Sequence, residues 1–303
     1  MLARRLLVTA ECVCKRGSRR LATNAMQSQQ EDKRVPLAHT AFTTVDQAST
    51  GPPVIIIHGL FGSKRNWNSL AKAISKTHRK VITVDCRNHG ESPHVPTMTY
   101  PEMAKDVELL METMDLPEAI ILGHSMGGKV AMNLALTRPE LVSKLIVEDI
   151  SPSKAQSEIS VSFDGYIDAM LAVKFDNSLT LPQLRREVDK QLLPTFPEQG
   201  LRQFILTNID QQDDEYRWRV NLQSIRSHMA DILSFPHFSS DYQGETLFIG
   251  GQLSKHISQQ DYPEIKRLFP KADIKHIEGA GHWVHAEKPA DFLKMFISFL
   301  NGQ

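Results

Sequence analysis

Cysteine is scarce in this chain: Cys12, Cys14 and Cys86 are the three among 303 residues. Two of them fall in an N-terminal stretch of unusual composition. The remainder, with Cys86 alone, can form no internal disulfide and suits a reducing compartment. Net charge is missing as well, 35 Lys plus Arg standing against 35 Asp plus Glu. So balanced a chain sets up no general field to draw in nucleic acid or an anionic membrane surface, and no nucleic-acid partner is expected. No run approaches the ~18–20 apolar residues of a spanning helix, so no transmembrane segment is expected either. Internal repeats and low-complexity linkers are also lacking. What is present, 41% hydrophobic and 23% charged residues, is the ordinary composition of a globule able to bury a sizeable core.

Residues 1–34 are the compositional outlier. Arg4, Arg5, Lys15, Arg16, Arg19 and Arg20 face only Glu11 across the first twenty positions, with small and apolar residues between them. This pattern reads as a mitochondrial transit peptide with a disordered N-terminus, which places the product in the matrix; the plainer reading is a basic tail. A secretory signal does not fit, because LLVTAECVC is too short and too interrupted for an apolar h-region.

From about residue 35, short β-branched runs alternate with longer helical periods, the pattern of βαβ units and a mostly parallel sheet flanked by helices. Strands are expected at 54–57 (VIII), 80–84 (KVITV), 119–122 (AIIL), 145–147, 246–249 and 273–277. Helices are expected at 66–74, 100–114, 129–136, 260–268 and 288–300. Residues 153–243 differ: apolar residues recur at helical spacing, prolines punctuate them, and no strand is evident. The expected organisation is a core of residues 35–152 and 244–303, with 153–243 as a helical cap.

The passage Gly123-His124-Ser125-Met126-Gly127 matches G-x-S-x-G, with a buried strand before it and a helix after it. That context is what a nucleophile elbow needs, a sharp turn lifting a serine hydroxyl above a sheet. A serine requires a base, and the base requires an orienting group. His282, in the glycine-bordered loop GAGHWVHAEKP, is the candidate base, with His285 as a surface or helix-start alternative. Asp149, closing a strand in IVEDISP, is the candidate acid. The loop TLFIGGQLSKH, where an acid would more often sit, holds no carboxylate before Asp261. Glu148 and a cap carboxylate remain alternatives for the acid, although strand alternation sends Glu148 to the other face. Backbone N–H groups of Met126 and Leu60, with Phe61 as runner-up for the second, form the candidate oxyanion hole.

His58 is expected to hold its loop by hydrogen bonds. His89 and His94 lack the companions of a metal site, and no metal or cofactor is expected. Asp85 and Arg87 are expected to brace their loop as an ion pair, and Lys129 to face solvent. Phe163, Tyr166, Met170, Phe204, Trp218 and Leu222 are candidates for an acyl pocket or for plain packing within the cap.

Taken together, HGLFGSKRNWNSL, VDCRNHGESPH, LGHSMGGKVAMNLAL, EDISP and GAGHWVHAEKP resemble the abhydrolase domain-containing protein 11 group. This is a mitochondrial branch of the α/β-hydrolases related to bacterial YbfF-type esterases. The resemblance spans about residues 37–300. It implies an α/β-hydrolase fold, with an eight-stranded sheet and a helical cap inserted after the sixth strand. It also implies a Ser125-His282 mechanism without a cofactor, and an acid at the position of Asp149. A cap aspartate offered for mammalian members matches Gln223 here, an amide that cannot serve. By the same resemblance the substrates are carboxylic esters, diacylglycerol-type lipids among them, and the protein associates with the 2-oxoglutarate dehydrogenase complex. Two rival functions stay open: a binding partner that stabilises a mitochondrial complex with hydrolysis secondary, and a thioesterase.

Overall fold

The computed structural model describes residues 34–43, 51–153 and 157–302. Apart from Arg34, the expected transit segment lies outside the described residues. The chain opens with β1 (His39–Phe42), β2 (Val54–Ile57), α1 (Asn68–Ser75), β3 (Val81–Val84) and α2 (Tyr100–Thr113). Next come β4 (Ala119–His124), α3 (Met126–Thr137) and β5 (Val142–Glu148). The chain then leaves the sheet for α4 (Ser157–Ala172), α5 (Leu181–Leu192), α6 (Gln199–Leu206), β6 (Ile209–Gln212), β7 (Glu215–Trp218), α7 (Leu222–Ser227) and α8 (Met229–Leu233). It returns through β8 (Glu245–Gly251), α9 (Tyr262–Leu268), β9 (Ala272–Ile277), α10 (Val284–Glu287) and α11 (Pro289–Leu300).

The main sheet runs β1-β3-β2-β4-β5-β8-β9, with β1 antiparallel and every other pairing parallel. Parallel strands covered on both faces read as unbroken apolar runs, and β2 shows why. Ile55 and Ile57 enter a core with α2 and α3, while Val54 and Ile56 enter a second core with α1 and α11. All four are fully buried, each worth about 1.5–3 kcal/mol of burial.

Two expectations need correction. The described sheet has seven strands, one fewer than the resemblance implies, so the excursion follows the fifth described strand rather than the sixth. Residues 34–38, just before β1, are held by side chains: the Val35 N–H donates to Asp106 at 2.8 Å and the Ala38 N–H to Ser92 at 2.8 Å. The excursion, expected to hold no strand, contains the antiparallel hairpin β6–β7. Asp213 and Asp214, with φ of 50° and 64°, form its two-residue turn. Only Ile209 and Tyr216 of its eight strand residues are buried, too few to leave an apolar alternation in the sequence.

Candidate active site

Ser125 sits between β4 and α3 with φ 52° and ψ −118°, a conformation that a residue with a side chain adopts only under constraint. The flanking glycines supply that constraint. A Cβ on Gly123 would lie 2.1 Å from the Gly127 carbonyl oxygen, and one on Gly127 would lie 2.3 Å from the Ile57 oxygen. Strand and helix can therefore meet at this angle only if both positions lack a side chain. The turn is tied down by the Ser125 N–H, which donates to the Glu148 carbonyl at 2.9 Å.

Asp149 follows β5 and His282 follows β9, so three chain-distant residues gather at the carboxyl ends of parallel strands. His282 Nδ1 lies 2.7 Å from Asp149 Oδ2, and His282 Nε2 lies 3.1 Å from Ser125 Oγ. The ring thus bridges a hydroxyl and a carboxylate, with Nδ1 donating to the acid and Nε2 left to accept. Burial, and secondarily the neighbouring His285, lowers the His282 pKa to about 4. At neutral pH the ring is uncharged and free to accept a proton.

The Asp149 carboxylate is fully buried, which pushes its pKa above the usual carboxylate value. Hydrogen bonds from the Ser254 hydroxyl (2.5 Å) and the Gly251 N–H (2.9 Å) work against that shift by favouring the charged form. The donors come from the last residue of β8 and the loop after it, the stretch whose lack of a carboxylate directed attention to Asp149. His256 of the same loop lies against His282, ring centroids 4.0 Å apart, and its N–H donates to Ser254 Oγ at 3.2 Å. Burial lowers the His256 pKa to about 4, with His282 a lesser cause. Neither Ser254 nor His256 was singled out from the sequence. Their only signal there was polar side chains where the acid might have been.

Leu60 and Met126 line the same cavity as Ser125. The Phe61 N–H is engaged elsewhere, donating to His89 Nε2 at 3.2 Å, and His89 Nδ1 donates in turn to the Arg87 carbonyl at 3.0 Å. Of the two loop donors expected from the sequence, the Phe61 N–H is thus committed to His89, and Leu60 lines the cavity. His58 is likewise taken up, tying its own loop to the one after β3, with Nδ1 donating to the Gly59 carbonyl at 2.7 Å and Nε2 accepting from the Cys86 N–H at 3.0 Å.

Several neighbours sit differently from expectation. Asp85 and Arg87 are both buried but pair with other residues: Asp85 with Lys64 at 2.6 Å, and Arg87 with Asp106 at 2.6 and 2.7 Å. His285 does sit at a helix start, in the first turn of α10, but it is buried rather than superficial. It stacks on Trp67 at 3.9 Å and bonds to Glu148 at 2.8 Å, so Glu148 indeed faces away from Asp149. His124 Nε2 donates to the His282 carbonyl at 3.0 Å. Among the described residues, His124, Glu148 and His285 form a group that could surround a metal ion, their ligand atoms lying within 4.8 Å of one another. Two of those three, Glu148 and His285, are bonded directly to each other. Lys129 is 2% exposed, not solvent-facing.

The cavity above Ser125 has a volume of about 330 Å³. Phe163, Tyr166 and Phe204 line it, together with Phe196, Ile205 and Trp283. Met170, Trp218 and Leu222 do not. Trp218 donates its indole N–H to the Met170 carbonyl at 2.9 Å, within the excursion itself. Among the described residues no helix is long and apolar enough to cross a membrane.

Comparison with known proteins agrees with this architecture. Residues 52–289 match the family model described as alpha/beta hydrolase fold. The chain is 45% identical to the sn-1-specific diacylglycerol lipase ABHD11 of Danio rerio, over 94% of this chain and 88% of that one. It is 33% identical to the esterase YbfF of Escherichia coli (strain K12), over 85% of this chain and 96% of that one. A solved marine microorganism esterase superposes with a TM-score of 0.81 at 35% identity, covering 88% of this chain and 99% of that one.

Proposed function

This chain belongs to the α/β-hydrolase fold family, in the group of the ABHD11 lipases and the YbfF esterase, and is a carboxylic ester hydrolase; from that premise we propose that Ser125, His282 and Asp149 are its catalytic triad. The observation that carries the proposal is the doubly bonded imidazole, 2.7 Å from the acid and 3.1 Å from the hydroxyl.

In this mechanism His282 Nε2 takes the Ser125 proton as Oγ attacks the ester carbonyl carbon. The Met126 and Leu60 N–H groups receive the developing oxyanion. The imidazolium, held by Asp149, gives its proton to the departing alcohol, leaving an acyl-enzyme. Water, deprotonated by His282, attacks that acyl carbon and releases the acid and free Ser125. No cofactor enters the scheme. An apolar cavity lined by Phe163, Tyr166 and Phe204 suits an acyl chain, and the relatives' name supports diacylglycerol-type lipids as substrates.

Turnover of p-nitrophenyl acyl esters and fluorophosphonate labelling test the assignment. Ser125→Ala and His282→Ala should abolish turnover, and Ser125→Ala should abolish labelling. Asp149→Asn should lower kcat by about four orders of magnitude. A nearly silent Asp149→Asn would move the acid elsewhere.

The basic segment 1–34 supports import into the mitochondrial matrix, and a reporter fused to residues 1–40 that stays cytosolic would refute it. Association with the 2-oxoglutarate dehydrogenase complex belongs to the same reading and rests on the family resemblance. Co-purification from mitochondria should persist in Ser125→Ala, and its absence from wild type would refute the association.

A further inference from the structure

Lys129 has no role in the proposed mechanism, yet it stands in the wall of the reaction cavity. It lies one helical turn beyond the nucleophile: the Lys129 N–H donates to the Ser125 carbonyl at 3.1 Å, a rise of about 6 Å along α3. Its side chain lines the cavity with Tyr100, Ile232 and Leu233, and the residue is 2% exposed.

The other two deeply buried cations described above, Lys64 and Arg87, each face a carboxylate. Lys129 faces none among the described residues. Its ammonium donates to the Ser234 carbonyl at 2.8 Å and the Leu233 carbonyl at 3.4 Å, and lies 5.8 Å from the centre of the Tyr100 ring. Carbonyls at the end of α8 are suitable acceptors for a cation, but they carry only partial charge and use two of its three N–H groups. A buried charge without a full counter-charge is unfavourable. Burial is the sole cause that lowers the Lys129 pKa, to about 8. The cavity's acid, Asp261, is held by Ser151 at 3.0 Å and Ser258 at 2.8 Å.

We propose that Lys129 is a specificity-determining residue whose ammonium receives a carboxylate carried by the substrate at a distance from the scissile ester. This rests on Ser125 being the nucleophile. The substrate class is an ester with an anionic end, seated so that the carboxylate completes the third donor of Lys129 while the apolar walls hold the intervening carbons. The carboxylate belongs either to the acyl part or to the alcohol part, and the test separates the two.

Two ester series are compared. One is p-nitrophenyl hemiesters of succinic to suberic acid; the other is acetate esters of ω-hydroxy acids of matching length. Each is set against its partner with the carboxylate replaced by a primary carboxamide. In one series, wild type should prefer the carboxylate by about tenfold or more in kcat/KM, the least that one charge-assisted hydrogen bond contributes. Lys129→Met should remove the preference while still turning over the carboxamide, and Lys129→Arg should restore part of it. A wild-type ratio within about twofold of unity in both series overturns the proposal, as does a preference that survives in Lys129→Met. Should Lys129→Met not fold, competitive inhibition of wild type decides. The monoamide of adipic acid should bind about tenfold more tightly than adipamide, and equal inhibition overturns the proposal. Carboxamide-ester turnover that persists in Ser125→Ala would instead overturn the catalytic assignment beneath it.

Discussion

Asp149 holds the site in order at the residue scale, because one buried carboxylate accepts from Gly251, Ser254 and His282 together. Removing the Ser254 hydroxyl leaves that carboxylate less compensated and freer to protonate, which slackens its hold on His282. A hydrogen bond to a charged group contributes about 1.5–3 kcal/mol, so Ser254→Ala should lower kcat on the order of tenfold with KM little changed. Unaltered kcat with a short-chain p-nitrophenyl ester would refute this role. The pH profile follows from the other partner. A base works only when unprotonated, and burial lowers the His282 pKa from 6.5 to about 4. With Asp149, His256, His124 and His285 around the ring, kcat/KM should stay flat through neutral pH and fall only as pH drops well below 6.5. An acid limb centred at or above 6.5 would show that the ring is not held neutral in this way.

At the scale of elements, the strand-turn-helix β4–α3 works because two positions lack a Cβ. Gly127→Ala would drive a methyl group against the Ile57 and His58 carbonyl oxygens, at 2.3 and 2.6 Å, where backbone cannot easily give way. Overpacking of this kind costs about 1–3 kcal/mol and should lower Tm by about 2–6 °C, with loss of turnover as Ser125 is displaced. Gly165, exposed on α4 with nothing within 4 Å of its notional Cβ, is the control. Gly165→Ala should raise stability by about 0.5–1 kcal/mol. Thermal melts of the two variants check both signs. The hairpin β6–β7 illustrates an element that depends on its setting: its polar strands carry little apolar pattern, and the turn rests on two aspartates at positive φ. Lys129 is similar. Helical periodicity gives its angle on α3, but not that Tyr100 and the end of α8 cover that side.

For the whole molecule, the two apolar cores flank a sheet that carries, at the carboxyl ends of its strands, several histidines buried without charge. Burial lowers His89 and His124 to about 3 and lowers His58 as well. The unfolded chain binds protons at these rings near 6.5 while the folded one does not, so their contribution is fully present above 6.5 and is lost as pH falls towards 3. Each ring can contribute a slope of up to about 1.4 kcal/mol per pH unit. Asp106 and Asp149, raised by burial, act in the opposite sense once pH reaches the carboxylate range. Denaturant midpoints should therefore drop between pH 6.5 and 5.5 with proton uptake on unfolding, and a midpoint unchanged across that interval would contradict the buried neutral rings. The sequence by itself determined the strand runs, the glycine-bounded elbow and the candidates Ser125, His282 and Asp149, since each depends on residues adjacent in the chain: steric freedom at a turn, apolar continuity in a buried strand, placement at a strand's end. Tertiary structure alone decided which charges meet. Lys64 with Asp85, Arg87 with Asp106 and Glu148 with His285 are 21, 19 and 137 residues apart, and Lys129 is enclosed by segments equally remote. Electrostatic partners and burial depend on distance in space, and no local pattern of residues records that distance.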